Sequence, residues 1–105
     1  MGTIMDHTDL YINGAWCAGA SGERFDVLNP ATEEVLASVA SADIKDADAA
    51  LDAAEAAMAK WAAKTPRERS EVLRKAWELM TARLEDFARM ITLENGKARS
   101  DAMGE

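Results

Sequence analysis

The hydrophobic period changes at Asp43, and that change splits the chain into two stretches with different folding rules. After Asp43, the residues Ala47, Ala50, Leu51, Ala54, Ala57, Met58 and Trp61 recur every three or four positions, the spacing of one helical face. Before it, short apolar runs are cut by turn residues. Leu10-Tyr11-Ile12 and Ala15-Trp16-Cys17 flank Asn13-Gly14, two residues that tolerate the positive φ of a type I′ turn, so this stretch reads as a β-hairpin. Residues 25–28 and 35–39 read as a second strand pair. Pro30 forces the turn between them by fixing its own φ and extending Asn29. Two hairpins followed by helices make an α+β pattern, and an isolated hairpin is marginal in water.

The helical half has clear punctuation. Asp43 is the expected N-cap of the first helix, with Asp46 and Asp48 placing negative charge near its positive end. Thr65-Pro66-Arg67-Glu68 spells a capping box with proline at the first helical position. The spacing predicts that the helix opened there runs to Asn95-Gly96, carrying Val72, Leu73, Ala76, Trp77, Met80, Leu84, Phe87, Ala88 and Ile91 on one side. That is about 29 residues, or roughly 44 Å at 1.5 Å per residue. A compact chain of this length has a radius of gyration near 13 Å, so such a helix calls for a larger body to pack against. Residues 101–105 are expected to open a third helix, and residues 1–9 to form a disordered tail.

Alanine supplies 22 of the hydrophobic residues, and alanine favours helix while burying little area. The expected core is therefore thin. The net charge is −7, with no basic stripe, which excludes the electrostatic footprint of a nucleic-acid binder. No segment approaches the roughly 20 apolar residues of a membrane span. The first nine residues lack the basic and apolar regions of a signal peptide. A single cysteine excludes an internal disulfide and fits a reducing, cytoplasmic location.

Candidate chemistry is sparse. Cys17 falls on a hairpin arm, away from the helix N-terminus or histidine base that would activate a thiol, and reads as inert. His7, the lone histidine, reads as a solvated tail residue. Gly14 and Gly19 have P-loop spacing without the Lys-Ser/Thr that follows, and Gly19 and Gly22 lack the rest of a dinucleotide fingerprint. No His, Cys and carboxylate cluster has metal-ligand spacing. Trp16, Trp61 and Trp77 read as packing residues. Glu71–Lys75 and Glu85–Arg89 have the i, i+4 spacing of surface helix pairs.

Read in order, YINGAW, VLNPATEEVLASV, AAMAKWAAKTPRERSEVLRKAWELM and TLENGKARSDAMGE resemble the start of an NAD(P)-dependent aldehyde dehydrogenase, from about Leu10 to Glu105. The wording of the last stretch is most similar to the succinate-semialdehyde dehydrogenase subgroup. The resemblance implies a part of the Rossmann-like cofactor-binding domain, supplying edge strands and outer helices. In such enzymes a cysteine thiolate attacks the aldehyde, hydride passes to NAD or NADP, and a glutamate-activated water releases the acid. It implies a small aldehyde substrate, a cytoplasmic homo-oligomer (dimer or tetramer), and no nucleic-acid or membrane partner. None of the catalytic or nucleotide-contacting motifs falls within these 105 residues, so the resemblance assigns no catalytic or cofactor-binding residue here. Taken alone, the piece is expected to be inactive and to bind no cofactor. The one site it suggests is a monovalent-cation site using the Leu28 carbonyl and Glu105. Two positions depart from the family wording: Glu33 stands where glycine is common, which points to a different turn geometry, and Ala98 where proline is common. The alternative is a short non-catalytic helical interaction or dimerisation module.

Overall fold

The computed structural model describes residues 7–105. The described residues fold as two antiparallel hairpins followed by four helices. Strands β1 (Leu10–Ile12) and β2 (Ala15–Cys17) pair with Tyr11 opposite Trp16, and Asn13 (φ 53°) and Gly14 (φ 78°) form the expected left-handed turn. Strands β3 (Arg24–Leu28) and β4 (Val35–Ala40) form the second pair, with an irregularity between Val27 and Leu28. Each sheet has only two strands. Side chains and backbone brace them together: Arg24 Nη1 donates to Asp9 (2.7 Å), and its Nη2 to Thr8 Oγ1 and the Ser38 carbonyl (2.8 Å each). The Ala40 amide adds a bond to the Thr8 carbonyl at 2.8 Å. Residues 1–6 of the expected tail lie outside the described residues, but Thr8 and Asp9 are held against β3 and β4 rather than free.

The β3–β4 turn corrects one expectation. Glu33 does not divert the chain into another geometry; it adopts the left-handed conformation itself, with φ 63°. The turn leaves it no choice. Asn29 accepts from the Glu33 amide (2.7 Å), donates to the Glu34 carbonyl (2.9 Å), and caps the Ala31 amide with its side chain (2.9 Å). These bonds outweigh the 1–2 kcal/mol that a side chain costs in this region.

Helix α1 (Ile44–Ala63) starts at Asp43 as the caps dictate, and α2 (Pro66–Ala82) at Thr65. Thr65 Oγ1 accepts from the Glu68 amide (3.2 Å), while Glu68 accepts from the Thr65 amide (2.8 Å). The single 29-residue helix is not observed. The chain leaves helical geometry at Arg83 (φ −116°, ψ 21°), whose amide donates to the Met80 carbonyl at 3.0 Å, and resumes as α3 (Leu84–Asn95). The i→i−3 bond tightens the last turn of α2. Glu85 and Asp86 then suit the positive end of a new helix. The apolar period runs on across the break, because one backbone residue changes direction without changing which residues are apolar. α3 reaches the second hairpin, where Met90 and Glu94 line a small cavity of about 190 Å³ with Val27, Leu36 and Val39.

Gly96 (φ 83°) ends α3, its amide bonded to the Thr92 carbonyl at 3.0 Å. A Cβ there would sit 3.1 Å from Pro30 Cγ, so the helix end and the β3–β4 turn approach closely at a residue without a side chain. The last element, α4 (Arg99–Ala102), begins two residues earlier than expected and is a single turn. Glu85 pairs with Arg99 (3.0 Å) across α3 and α4, and Arg74 pairs with Glu71 (3.1 Å) and Glu78 (2.6 Å). These replace the expected Glu85–Arg89 and Glu71–Lys75 pairs. Arginine's planar fork serves two carboxylates at once, which a lysine at position 75 cannot match. Among the described residues no helix is long and apolar enough to cross a membrane.

The core is as thin as the alanine content implies. Among the described residues only Ala40, Ala88 and Ala102 are buried hydrophobic residues, while Leu51 and Met58 are each 67% exposed and Trp77 64%. The radius of gyration is 16.7 Å, against about 13 Å for a compact chain of this length.

Two substitutions test this account. Glu33→Gly should raise stability by about 0.5–1 kcal/mol, the relief of left-handed strain less the added freedom of glycine in the unfolded chain. Thr65→Ala should lower it by about 1 kcal/mol through loss of the cap. The urea midpoint of far-UV dichroism reads both, and an unchanged midpoint for Glu33→Gly contradicts the strain.

Candidate functional site

The most strongly engaged charged group is Asp46, the one charged residue that is buried among those described. It sits at the third position of α1, where helix geometry aims its carboxylate back at the N-cap. There Oδ2 accepts the Asp43 amide (2.9 Å), closing a capping box whose other half is Asp43 Oδ1 accepting from Asp46 N (3.3 Å). The same carboxylate reaches the loop after β2, where both oxygens accept the Ala20 amide at 3.0 Å. Gly19 makes that approach possible: a Cβ on it would fall 2.4 Å from the Ser41 carbonyl oxygen. Asp46 therefore works as a clasp between the β1–β2 arm and α1. The Asp43 amide, then the Ala20 amide, hold its carboxyl below the ordinary carboxylate range, against the opposing effect of burial.

The sequence's candidate residues scatter over the fold. Cys17 ends β2 opposite Leu10, half-buried. His7 is not simply solvated: its ring stacks on Trp16, with centroids 4.3 Å apart and planes within 5°. Gly19 and Gly22 bracket a turn closed by the Gly22 amide on the Gly19 carbonyl (2.9 Å). Gly19 in that turn is pressed on Ser41 and Asp46. Leu28 lies in β3 opposite Val35. Glu105 pairs with Lys97. Glu94 stands in the last turn of α3, against the small cavity. Among the described residues, no group of three His, Cys, Asp or Glu side chains is placed to hold a metal ion.

What the fold does assemble is apolar surface. Trp77, Met80, Leu84, Phe87 and Ile91 line an open groove of about 400 Å³ along α2 and α3, with Ala88 and Ala102 at its floor. On α1, every residue from Ala54 to Ala63 is exposed. Among the described residues two buried polar atoms, Arg69 Nε and Thr92 Oγ1, have no hydrogen-bond partner. Both lie beside open hollows, Arg69 with Trp61 and Leu73, and Thr92 with Arg89 and Arg99. Periodicity identified the apolar residues but not their exposure. The Asp46 clasp had no sequence signal beyond the aspartate at the third helical position, because its second donor lies 26 residues away.

Comparison with known proteins places this geometry. The sequence pattern of the aldehyde dehydrogenase family matches residues 16–105. The chain is 43% identical over 94 residues to the NADP-dependent succinate-semialdehyde dehydrogenase GabD of Escherichia coli, covering 90% of this chain and 20% of that protein. It is 39% identical over 99 residues to malonate-semialdehyde dehydrogenase 1 of Oceanobacillus iheyensis, covering 94% and 20%. The solved structure of an E. coli NADP-dependent enzyme superposes with a TM-score of 0.90 at 40% identity, covering 93% of this chain and 20% of that one. The chain thus spans about a fifth of the length of these relatives.

The clasp predicts a signed pH dependence. With its folded value below that of the unfolded carboxyl, about 3.9, the stability Asp46 contributes is fully present above that value. It is lost as pH falls through the folded value. Asp46→Asn should lower the melting temperature at pH 6 and flatten its fall below about pH 4; parallel pH profiles for the two proteins contradict the clasp.

Proposed function

The chain belongs to the aldehyde dehydrogenase family, and on that premise we propose its function. It forms the N-terminal part of the cofactor-binding domain of an NAD- or NADP-dependent enzyme. That enzyme oxidises a small aldehyde to its carboxylic acid through a cysteine thiohemiacetal, with succinic semialdehyde the favoured substrate. The observation that supports this most directly is the pairing of a family match over residues 16–105 with large apolar faces turned outward. A surface of this kind fits a segment that packs on further protein and poorly suits a chain that works in isolation. The substrate class follows from the two curated relatives quoted above, both named for semialdehydes.

None of the chain's own residues takes a chemical step in this reading. Their part is architectural: the hairpins and helices present preformed faces, and Asp46 fixes the angle between arm and helix. A cytoplasmic, homo-oligomeric enzyme with no nucleic-acid or membrane partner completes the proposal. A second reading, a non-catalytic helical interaction module, draws on the same exposed faces.

The test is a chimera in which this chain replaces the matching first fifth of the E. coli relative. It should reduce NADP with succinic semialdehyde at a rate within about tenfold of the parent, a loss of no more than ~1.4 kcal/mol in barrier. The 105 residues alone should give no turnover. A folded but inactive chimera sinks the enzyme reading and favours the module.

A further inference from the structure

We propose that Asn13 is a site of spontaneous covalent modification. The Gly14 amide nitrogen attacks its side-chain amide, and the residue becomes aspartate or isoaspartate with release of ammonia. The β1–β2 turn has no part in the enzyme reading, and this chemistry is separate from it.

The chain holds three asparagines, and the backbone nitrogen that follows is in a different state at each. Pro30 follows Asn29, and a proline nitrogen has no proton to lose, so it is no nucleophile. Gly96 follows Asn95, the last residue of α3, and its amide donates to the Thr92 carbonyl at 3.0 Å. That bond holds the proton that would have to leave. A Cβ at Gly96 would stand 3.1 Å from Pro30 Cγ, so the junction is crowded as well. Gly14 follows Asn13 at the tip of the β1–β2 turn. The bond that closes a two-residue turn joins the residues flanking it, here Ile12 and Ala15, and leaves the Gly14 amide out. Among the described residues no backbone acceptor takes that amide. Asn13 and Gly14 are both exposed, and a Cβ on Gly14 would meet nothing within 4 Å. With no side chain of its own, Gly14 puts nothing in the way of ring closure.

The step needs no oxidant or reductant. Water or hydroxide removes the Gly14 amide proton, and the nitrogen bonds to Asn13 Cγ. The Cγ–Nδ2 bond breaks, and that nitrogen leaves with an added proton as ammonia. A second water opens the cyclic imide at either carbonyl. Opening at Cγ leaves aspartate, which suits a turn with positive φ. Opening at the backbone carbonyl leaves isoaspartate, whose main chain runs through Cβ. The extra main-chain atom falls between Ile12 and Ala15, and it disturbs the pairing of Tyr11 with Trp16, whose rings lie 4.9 Å apart.

The experiment incubates the 105-residue chain in mildly alkaline buffer, with and without urea. Peptide mass mapping follows amide-to-acid conversion at each asparagine, and isoaspartyl methyltransferase labelling reads the isoaspartate. In buffer, Asn13 should convert about tenfold faster than Asn95, the factor that one backbone hydrogen bond supplies, while Asn29 stays intact. In urea, which removes the Thr92 bond, Asn13 and Asn95 should convert at similar rates. Asn13→Gly keeps a residue that accepts positive φ and should abolish labelling of the β1–β2 peptide. Equal rates at Asn13 and Asn95 in buffer, or a faster Asn95, overturn the proposal. So does an Asn13 that stays intact in buffer while it converts in urea, or labelling of the β1–β2 peptide that survives Asn13→Gly.

Discussion

Asp46 accepts backbone amides from Ala20 and Asp43 at once, and the relation between the two halves of the chain depends on that double engagement. With alanine the only hydrophobic residue type buried among the described residues, apolar packing contributes little to fixing the arm against α1. A carboxylate that satisfies two amides through three contacts supplies what packing does not. The cost is a strict demand on neighbours. Gly19 must lack a side chain, because the Ser41 carbonyl occupies the space beside it. Arg24 plays a similar part on the other side of the arm, gathering Thr8, Asp9 and Ser38 around one guanidinium.

The helices show the complementary pattern. Their backbones are locally complete, with capping boxes at two N-termini and glycine at the end of α3, while their apolar side chains stay in water. Helical stability in most proteins comes from packing an amphipathic face rather than from propensity. The chain superposes on a much longer relative with a TM-score of 0.90. Local hydrogen bonding closes its turns and helix ends.

The elements most legible in the sequence were those whose cause lies within four residues. Asn13-Gly14, Thr65-Pro66-Arg67-Glu68 and Asn95-Gly96 each name their own structure, since turn and cap chemistry are local. The break at Arg83 was hidden because periodicity reports which residues are apolar, and one residue leaving helical geometry alters none of them. Glu33 departs from expectation for a related reason: the preference of its type is written in the sequence, but the strength of the Asn29 bonds that override it is not. The candidate site was the least legible part. Asp46 looked like dipole compensation until Ala20 came within 3.0 Å of it, and no pattern in a sequence marks an amide 26 positions away. Asn95-Gly96 ends α3 as the sequence predicts, and Lys97 turns to Glu105.

The placement of the clasp also has a mechanical consequence. Asp46 grips α1 near its first turn, and from Ala54 onward the helix is exposed along its whole length. Trp61 lies fifteen residues beyond that grip, or about 22 Å along the axis. A tilt of about 5° at the clasp moves the tryptophan by about 2 Å over that distance. The helix is thus a lever pinned at one end, and the free end takes its position from whatever it rests on.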